Sequence, residues 1–337
     1  MINIVVVFLI VSLLSVWGVL KVFPKLGLMD RPDRYGYNRS PVPYSAGIIL
    51  FIIFLLTVFW PGIELTTKMW GLITASSLIV IVSFLDDRFN LSPYLRFACQ
   101  FVAAAIVVGT GSFVYGFNLP IIGWLEFGQI GGQIITALWL VGLMNAVNWL
   151  DGVPGLATGV SGIVFFTLFL LSKWPTLEHT VPQGDLSTIS LVLAIGSLVL
   201  FFYCVPRLKL LIGDTGSMFL GLMIGALSVY AGGKVATAAL VLFIPLFDTI
   251  WIILRRILQK KSPFRGDMGH LHHRLLKAGM KGNQIVMLYI TYTLLLAILA
   301  LILLSTEAKF WLGILMLIVL ISGAAWVVKL EKDAGQN

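Results

Sequence analysis

Apolar runs long enough to cross a membrane dominate the chain, and short polar stretches separate them. A helix that crosses the hydrocarbon core needs about 20 mostly apolar residues, within a range of roughly 17–25. Eleven segments approach this pattern, of which the second and fourth are short. They lie near residues 2–23, 46–60, 69–85, 95–110, 132–150, 157–173, 187–205, 215–231, 235–254, 284–304 and 310–328. Because backbone polar groups in lipid must be satisfied within a segment, the pattern predicts helices.

Composition supports the same class of protein. The chain is 59% hydrophobic and 11% charged, whereas soluble domains are about half apolar and about one quarter charged. This excludes an ordinary soluble globular protein. We predict an all-α, polytopic membrane protein with about eleven transmembrane helices, organised as a single transmembrane domain over residues 1–328 with a tail at 329–337.

The distribution of lysine and arginine predicts the orientation. With the N-terminus outside, all but four of the 23 lysines and arginines lie on the inner side, as the positive-inside rule expects. The exceptions are Lys68, Lys173, Lys234 and Lys309. The bias also explains the net charge of +8 without a nucleic-acid partner. The predicted cytoplasmic segments are the loops 24–45, 86–94, 151–156, 206–214 and 255–283 and the C-terminal tail.

The motif FLDDRFNLSP places Asp86 and Asp87 at the inner end of the third segment. Adjacent carboxylates repel each other unless a cation compensates for their charge. Mg²⁺ suits this role because it takes oxygen ligands and keeps substrate phosphates in its shell. The alternative is a solvated helix end.

Two further motifs lie at predicted inner helix ends. In NAVNWLDGVPGLATG, Asn145, Asn148 and Asp151 recur every three residues and therefore share one helix face. The alternative is that these amides only hold helices together. In KLLIGDTGSMFLG, Asp214 follows Lys209 and begins the eighth segment. The alternative here is an ordinary helix cap.

The stretch GDMGHLHHRLLKAG, residues 266–279, holds three of the four histidines in the chain. We interpret His270, His272 and His273, with Arg265 and Arg274, as a phosphate clamp that faces the aspartates, since imidazole and guanidinium groups donate to phosphate oxygens. The alternative is a basic loop drawn to anionic lipid.

The motif PLFDT places Asp248 inside the ninth segment, where a carboxylate needs a partner. Arg255 or Arg256 is the expected partner. A structural ion pair is as good an explanation of this carboxylate as a catalytic role.

In their order along the chain, FLDDRFNLSP, NAVNWLDGVPGLATG, GDTGSMFLG, PLFDT and GHLHHRL resemble the motifs of the polyprenyl-phosphate N-acetylhexosamine-1-phosphate transferases. The resemblance covers about residues 24–283. The chain is most similar to the bacterial branch that transfers GlcNAc-1-phosphate from UDP-GlcNAc to undecaprenyl phosphate and so starts a cell-envelope polysaccharide. The phospho-MurNAc-pentapeptide translocase is a related enzyme.

The resemblance implies a magnesium-dependent phosphoglycosyltransferase, with Mn²⁺ as a second possible metal. It implies UDP-GlcNAc, undecaprenyl phosphate and the lipid bilayer as partners, and a site on the cytoplasmic face of the bacterial inner membrane. The implied catalytic residues are Asp86, Asp87, Asp151 and Asp214. The implied metal ligands are Asp214, Asn148, Asp86 and Asp87. The implied substrate-binding residues are Asn145, Asn148, Lys209, Arg265, His270, His272, His273 and Arg274.

Three positions depart from the pattern of the family. Pro154 replaces an acid common in relatives, Cys204 stands where many relatives carry asparagine, and Asn90 replaces an aspartate of some relatives. These changes leave the nucleotide contacts and the number of metal ligands open.

The sequence also leaves the donor, the course of the reaction and the oligomeric state open. The donor is UDP-GlcNAc or another UDP-amino sugar, such as UDP-GalNAc or UDP-MurNAc-pentapeptide. Transfer is direct or passes through a covalent intermediate, and the chain is a monomer or a homodimer. A transporter would place costly residues near the bilayer midplane and repeat one half of the chain, and the sequence has neither feature.

Overall fold

The computed structural model of this chain describes residues 2–32, 39–173, 184–230, 234–260, 269–303 and 305–334, without the side chains of 320 and 323–334. Thirteen helices and one two-stranded hairpin occur in this described part. They are α1 (Ile2–Val22), α2 (Ile48–Val58), α3 (Thr67–Phe89), α4 (Pro93–Gly109), β1 (Gly116–Leu119), β2 (Gly123–Glu126), α5 (Gly128–Leu150), α6 (Leu156–Lys173), α7 (Gly184–Cys204), α8 (Gly213–Tyr230), α9 (Val235–Val241), α10 (Phe243–Leu258), α11 (Leu271–Lys277), α12 (Gly282–Ile302) and α13 (Thr306–Ala334).

Every apolar segment predicted from the sequence contains helix, and the protein is an all-α polytopic membrane protein. Within the described ranges, six helices are long and apolar enough to cross a membrane: α1, α3, α5, α6, α7 and α12. The predicted segment 235–254 is a bent pair, α9 and α10, with an angle of 81° between the two helices. At 11 residues, α2 is about 16 Å long, roughly half the hydrocarbon thickness. The count of eleven crossings and the orientation stay predictions.

Two elements lie outside the eleven predicted segments. The antiparallel hairpin β1–β2 pairs Gly116 with Glu126 and Leu119 with Gly123, between α4 and α5. The short helix α11 lies in the predicted loop 255–283 and carries His272, His273 and Arg274. Elements of this length are too short to produce the apolar pattern of about 20 residues that predicts a membrane span.

Helix α8 forms the centre of the bundle, with nearly every side chain buried. It packs against α3 and α5 among others. A Cβ at Gly221 would lie 2.5 Å from the carbonyl oxygen of Leu143, so only glycine permits this approach of α8 to α5. The close packing brings the start of α8 next to the end of α5.

Asp87 and Asp214 lie at the opposite end of the helices from the four exceptional lysines. The Tyr230 hydroxyl at the end of α8 donates to the carbonyl of Lys68 at the start of α3 at 2.8 Å. The two helices therefore run antiparallel, and the end of α3, with Asp87, meets the start of α8, with Asp214. Lys173 ends α6, Lys234 precedes α9, and Lys309 lies in the first turn of α13.

Candidate active site

Asp87 joins the end of α3 to the start of α8. One of its carboxylate oxygens accepts the N–H of Asp214 at 2.9 Å. The other accepts the Thr215 hydroxyl at 2.6 Å and the Ser45 hydroxyl at 2.7 Å. Backbone N–H groups in the first turn of a helix have no partner within the helix, and an acid there satisfies them and complements the helix dipole. Asp87 thus holds three chain segments in place.

Asp86 and Asp214 are bridged by one guanidinium group. Nη1 of Arg96, in the first turn of α4, lies 2.7 Å from Asp86 and 2.9 Å from Asp214. Asp86 also accepts the N–H of Leu91 at 2.7 Å. The arginine holds α4 against both acids and compensates for part of their charge.

Asn148 and Asp151 bring the end of α5 to the same place. The Asn148 amide donates to Asp214 and to the Ser217 hydroxyl, both at 2.9 Å. Asp151 follows the last residue of α5 and accepts the N–H of Gly213. We call Asp86, Asp87, Asp151 and Asp214 the acid cluster. Four carboxylates from three distant sequence motifs therefore converge at one end of the bundle.

The convergence of carboxylates makes it harder to ionise Asp151. Removal from water raises the pKa of its carboxyl well above the usual range, and the neighbouring Asp214 and Asp87 raise this pKa further. The N–H of Gly213 offsets only part of the effect. Among the described residues, the ion pairs of the acid cluster all go to Arg96. In its fully ionised form, the cluster would therefore carry more negative charge than Arg96 balances.

His270, His272 and His273, here called the histidine segment, lie beside the turn that follows Asn148. The His270 ring lies 4.6 Å from the Trp149 ring, centroid to centroid. Its Nδ1 is 2.8 Å from Asp248, whose other oxygen accepts the N–H of Leu271 at 3.0 Å. The carboxylate of PLFDT therefore pairs with His270, whereas an arginine of α10 was expected. This contact fixes α11 to α10.

His272 is packed directly against the turn that carries Asp151. It is 1% exposed, and a Cβ at Gly152 would lie 2.7 Å from its Nε2. This Nε2 has no hydrogen-bond partner within the part of the chain that the structure describes. Burial lowers the pKa of His272 to about 3, and the nearby His273 and His270 contribute to this shift. His272 is thus neutral at physiological pH, and the phosphate clamp stays a prediction.

Two other predicted residues, Asn145 and Lys209, contact groups outside the acid cluster. The Asn145 amide donates to Gln100 at 2.7 Å and to the Val141 carbonyl, so its contacts join α5 to α4. Lys209 is exposed, with Nζ 5.3 Å from the centre of the Tyr203 ring. Arg274 is exposed on α11, and Arg265 lies outside the described residues.

Sequence reasoning missed two residues that hold the acid cluster together, Arg96 and Ser45. A usable signal existed for Arg96, because it is the one charged residue of α4 and lies near the predicted inner end. Ser45 has no such signal. It reaches Asp87 across 42 positions of sequence, from a loop residue with a φ of 65°.

A cavity of about 320 Å³ lies beside the turn that follows Asp151. Its wall includes Val153, Pro154 and Cys204, and its rim includes Lys281 and Asn283. Pro154 and Cys204, two of the departures from the family pattern, therefore line one space. Both departures therefore change the lining of the same cavity.

Comparison with known proteins agrees with this site. A family model described as "Glycosyl transferase family 4" matches residues 69–232, which include the whole acid cluster. The chain is 32% identical to a "Probable undecaprenyl-phosphate N-acetylglucosaminyl 1-phosphate transferase" of Bacillus subtilis, over 95% of this chain and 90% of that protein. The chain belongs to the polyprenyl-phosphate N-acetylhexosamine-1-phosphate transferase family. It is a phosphoglycosyltransferase.

Two other relatives are similar over most of their length. A "Decaprenyl-phosphate N-acetylglucosaminephosphotransferase" of Mycolicibacterium smegmatis is 30% identical over 78% of this chain and 72% of its own length. An "Undecaprenyl-phosphate alpha-N-acetylglucosaminyl 1-phosphate transferase" of Pasteurella multocida is 29% identical over 78% of this chain and 75% of its own. The predicted resemblance to this family is thereby confirmed.

Proposed function

We propose that this transferase moves GlcNAc-1-phosphate from UDP-GlcNAc to undecaprenyl phosphate, releases UMP and so starts a cell-envelope polysaccharide. The names of its relatives support the reaction. The observation in the molecule that carries the proposal is the acid cluster, built at one end of a membrane-spanning bundle. A water-soluble nucleotide sugar and a membrane-bound lipid phosphate meet only at such a surface.

The acid cluster faces the cytoplasm of a bacterial inner membrane in this proposal. The four exceptional lysines lie at the opposite end of the helices from Asp86 and Asp214, as the positive-inside argument requires. Single-cysteine variants at Glu64 and Lys277, both exposed, test this orientation. In intact cells, an impermeant thiol reagent should label the first and spare the second. Labelling of both from outside would contradict the orientation.

Mg²⁺, with Mn²⁺ as its substitute, fits the acid cluster by donor chemistry. The donors are carboxylate and amide oxygens, which are the ligands this metal prefers. Within the described ranges, no group of three or more His, Cys, Asp or Glu side chains is arranged as a metal site. Mg²⁺ does not need such a cage, because it takes one or two carboxylates together with waters and substrate phosphates. The raised pKa of Asp151 means that its ionised form lacks compensation, and a bound cation would supply that compensation.

Each residue of the acid cluster then has a distinct task. Asp214 and Asp151 would hold the metal, with Asn148 orienting Asp214. When bound, Mg²⁺ supplies positive charge against the phosphate oxygens of the donor. Asp86 and Arg96 lie at the edge next to α4, where Arg96 can exchange a carboxylate for a phosphate of either substrate. Asp87 keeps the start of α8 in place.

The cavity beside Pro154 suits the nucleotide end of the donor. It adjoins the Asp151 turn, and Lys281 at its rim offers a positive charge toward phosphate. The amide that Cys204 replaces and the acid that Pro154 replaces would both be polar groups in this wall. With Pro154 and Cys204, this cavity is less polar than one lined by the acid and the amide of the family pattern. A less polar wall favours packing against the flat faces of a nucleotide base.

The direct test is UMP release by the purified protein in lipid nanodiscs with undecaprenyl phosphate, Mg²⁺ and a panel of UDP-sugars. UDP-GlcNAc should be the best donor, ahead of UDP-GalNAc and UDP-MurNAc-pentapeptide. A higher rate with either of the latter two would reassign the donor. Uptake of UDP-sugar into proteoliposomes without UMP release would indicate a transporter and overturn the proposal.

A further inference from the structure

The hairpin β1–β2 exposes an apolar tip at the end of the bundle opposite the acid cluster. Ile121 is 91% exposed and Ile122 is 71% exposed, and the neighbouring Trp124 and Tyr115 are also exposed. Between residues 109 and 129 the only charged residue is Glu126. A loop that faced water would carry more polar side chains, so this surface has an apolar or interfacial environment.

The backbone of the tip indicates that its side chains are kept for a reason. Ile121 has a φ of 74°, a left-handed conformation that β-branched residues adopt only at a cost. Glycine or asparagine would take this position in the turn without strain. Strain of this kind is retained where the side chain contributes elsewhere.

Position favours lipid over a protein partner as the neighbour of this tip. The hairpin follows α4 and leads through one residue into the membrane-spanning helix α5. Its strands of four residues are about 13 Å long, so the tip stays close to the bilayer surface. On α5, the exposed apolar residues Ile130, Ile134 and Leu138 form a stripe at helical spacing that continues the apolar surface along this membrane-spanning helix.

We propose that Ile121, Ile122 and Trp124 insert into the lipid interface of the leaflet opposite the acid cluster. Tryptophan and tyrosine rings favour the headgroup level of a bilayer. The hairpin then anchors the start of α5, the helix whose other end carries Asn148 and Asp151. The segment before β1 secures this link, since the N–H of Val114 donates to the Thr136 hydroxyl of α5 at 3.0 Å.

Photo-crosslinking tests the insertion without depending on the reaction. Benzoylphenylalanine is placed at Ile121, at Ile122 and, as a control, at Glu64, an exposed residue of the α2–α3 loop at the same end of the bundle. The full chain is irradiated in phosphatidylcholine nanodiscs with one chain per disc. Mass spectrometry then identifies and quantifies the protein–lipid adducts. Two tip positions guard against one variant failing to fold.

We expect lipid adducts at Ile121 and Ile122 at a yield several-fold above that at Glu64. Equal yields at all three positions would overturn the proposal, because the tip would then be no closer to lipid than an ordinary loop. Crosslinks between chains, in discs loaded with two copies and without lipid adducts, would assign the tip to a dimer contact instead.

Discussion

The acid cluster and the histidine segment meet at the turn Asp151–Gly152, but they differ in charge. The acid cluster gathers four carboxylates around one arginine and the start of α8, and it leaves Asp151 short of a cation. In the histidine segment, His270 is buried against Trp149 and His272 against Gly152, and His272 is neutral. An excess of charge predicts a site that binds ions, whereas a buried neutral ring predicts a role in shaping the turn.

The largest expected effect comes from Asp214→Asn, which removes one negative charge and nearly preserves shape. UMP release should fall roughly 10²–10³-fold, the range seen when one electrostatic contact to a reacting group is lost. Asp185→Asn, at the opposite end of the bundle, is the matched control and should leave the rate unchanged. Near-normal turnover of the Asp214 variant over a range of Mg²⁺ would remove this residue from the site.

Asp87→Asn tests whether this residue is mainly a structural acceptor. An asparagine offers one oxygen where the carboxylate accepts bonds on two, so the start of α8 should loosen by about 1.5–3 kcal/mol. Ser45→Ala removes a single hydroxyl donor and should cost about 0.5–1.5 kcal/mol. Thermal unfolding of both variants in detergent measures the difference. A fully stable Asp87 variant that has lost activity would place Asp87 among the reacting groups instead.

Gly152→Ala tests whether the histidine segment shapes the turn. The added methyl would meet His272 Nε2 and should reduce UMP release, since overpacking costs about 1–3 kcal/mol. Combining it with His272→Ala removes the clash, and the double variant should recover part of the rate lost by Gly152→Ala alone. Strictly additive losses would mean that the two positions act independently.

The smallest expected effect is on the pH dependence of stability. The pKa of His272 is lowered to about 3, so the unfolded chain binds a proton that the folded chain excludes. Its stabilising contribution is complete above about pH 6.5 and is lost as the pH falls below that value. The loss is at most about 1.4 kcal/mol per pH unit. His272→Gln should flatten thermal stability between about pH 4.5 and 6.5, and an unchanged slope would show that His272 takes up a proton in the folded state.

The sequence predicted the helical class, the position of each apolar segment and the convergence of three acidic motifs at one end. These features follow from hydropathy and from the cost of charge near lipid. The roles of individual residues did not follow. Asn145 and Asn148 share one helix face, yet only Asn148 reaches Asp214, because Asn145 lies one turn deeper beside Gln100.

The other misses have the same physical origin. Arg96 and Ser45 act through contacts between distant segments, which depend on how α4 and the loop before α2 pack against α8. The histidine pattern could not show that burial against Gly152 keeps His272 neutral. A sequence pattern shows which groups are present, and tertiary packing decides their charge and their partners.

We propose that the acid cluster binds the metal and that the histidine segment does not. Electron paramagnetic resonance of Mn²⁺ with the purified chain and UDP-GlcNAc measures bound metal without depending on turnover. We predict that Asp214→Asn and Asp151→Asn weaken Mn²⁺ binding, while His272→Gln leaves it unchanged. Wild-type Mn²⁺ affinity in the Asp214 variant, or loss of Mn²⁺ binding in the His272 variant, would contradict this assignment of the metal site.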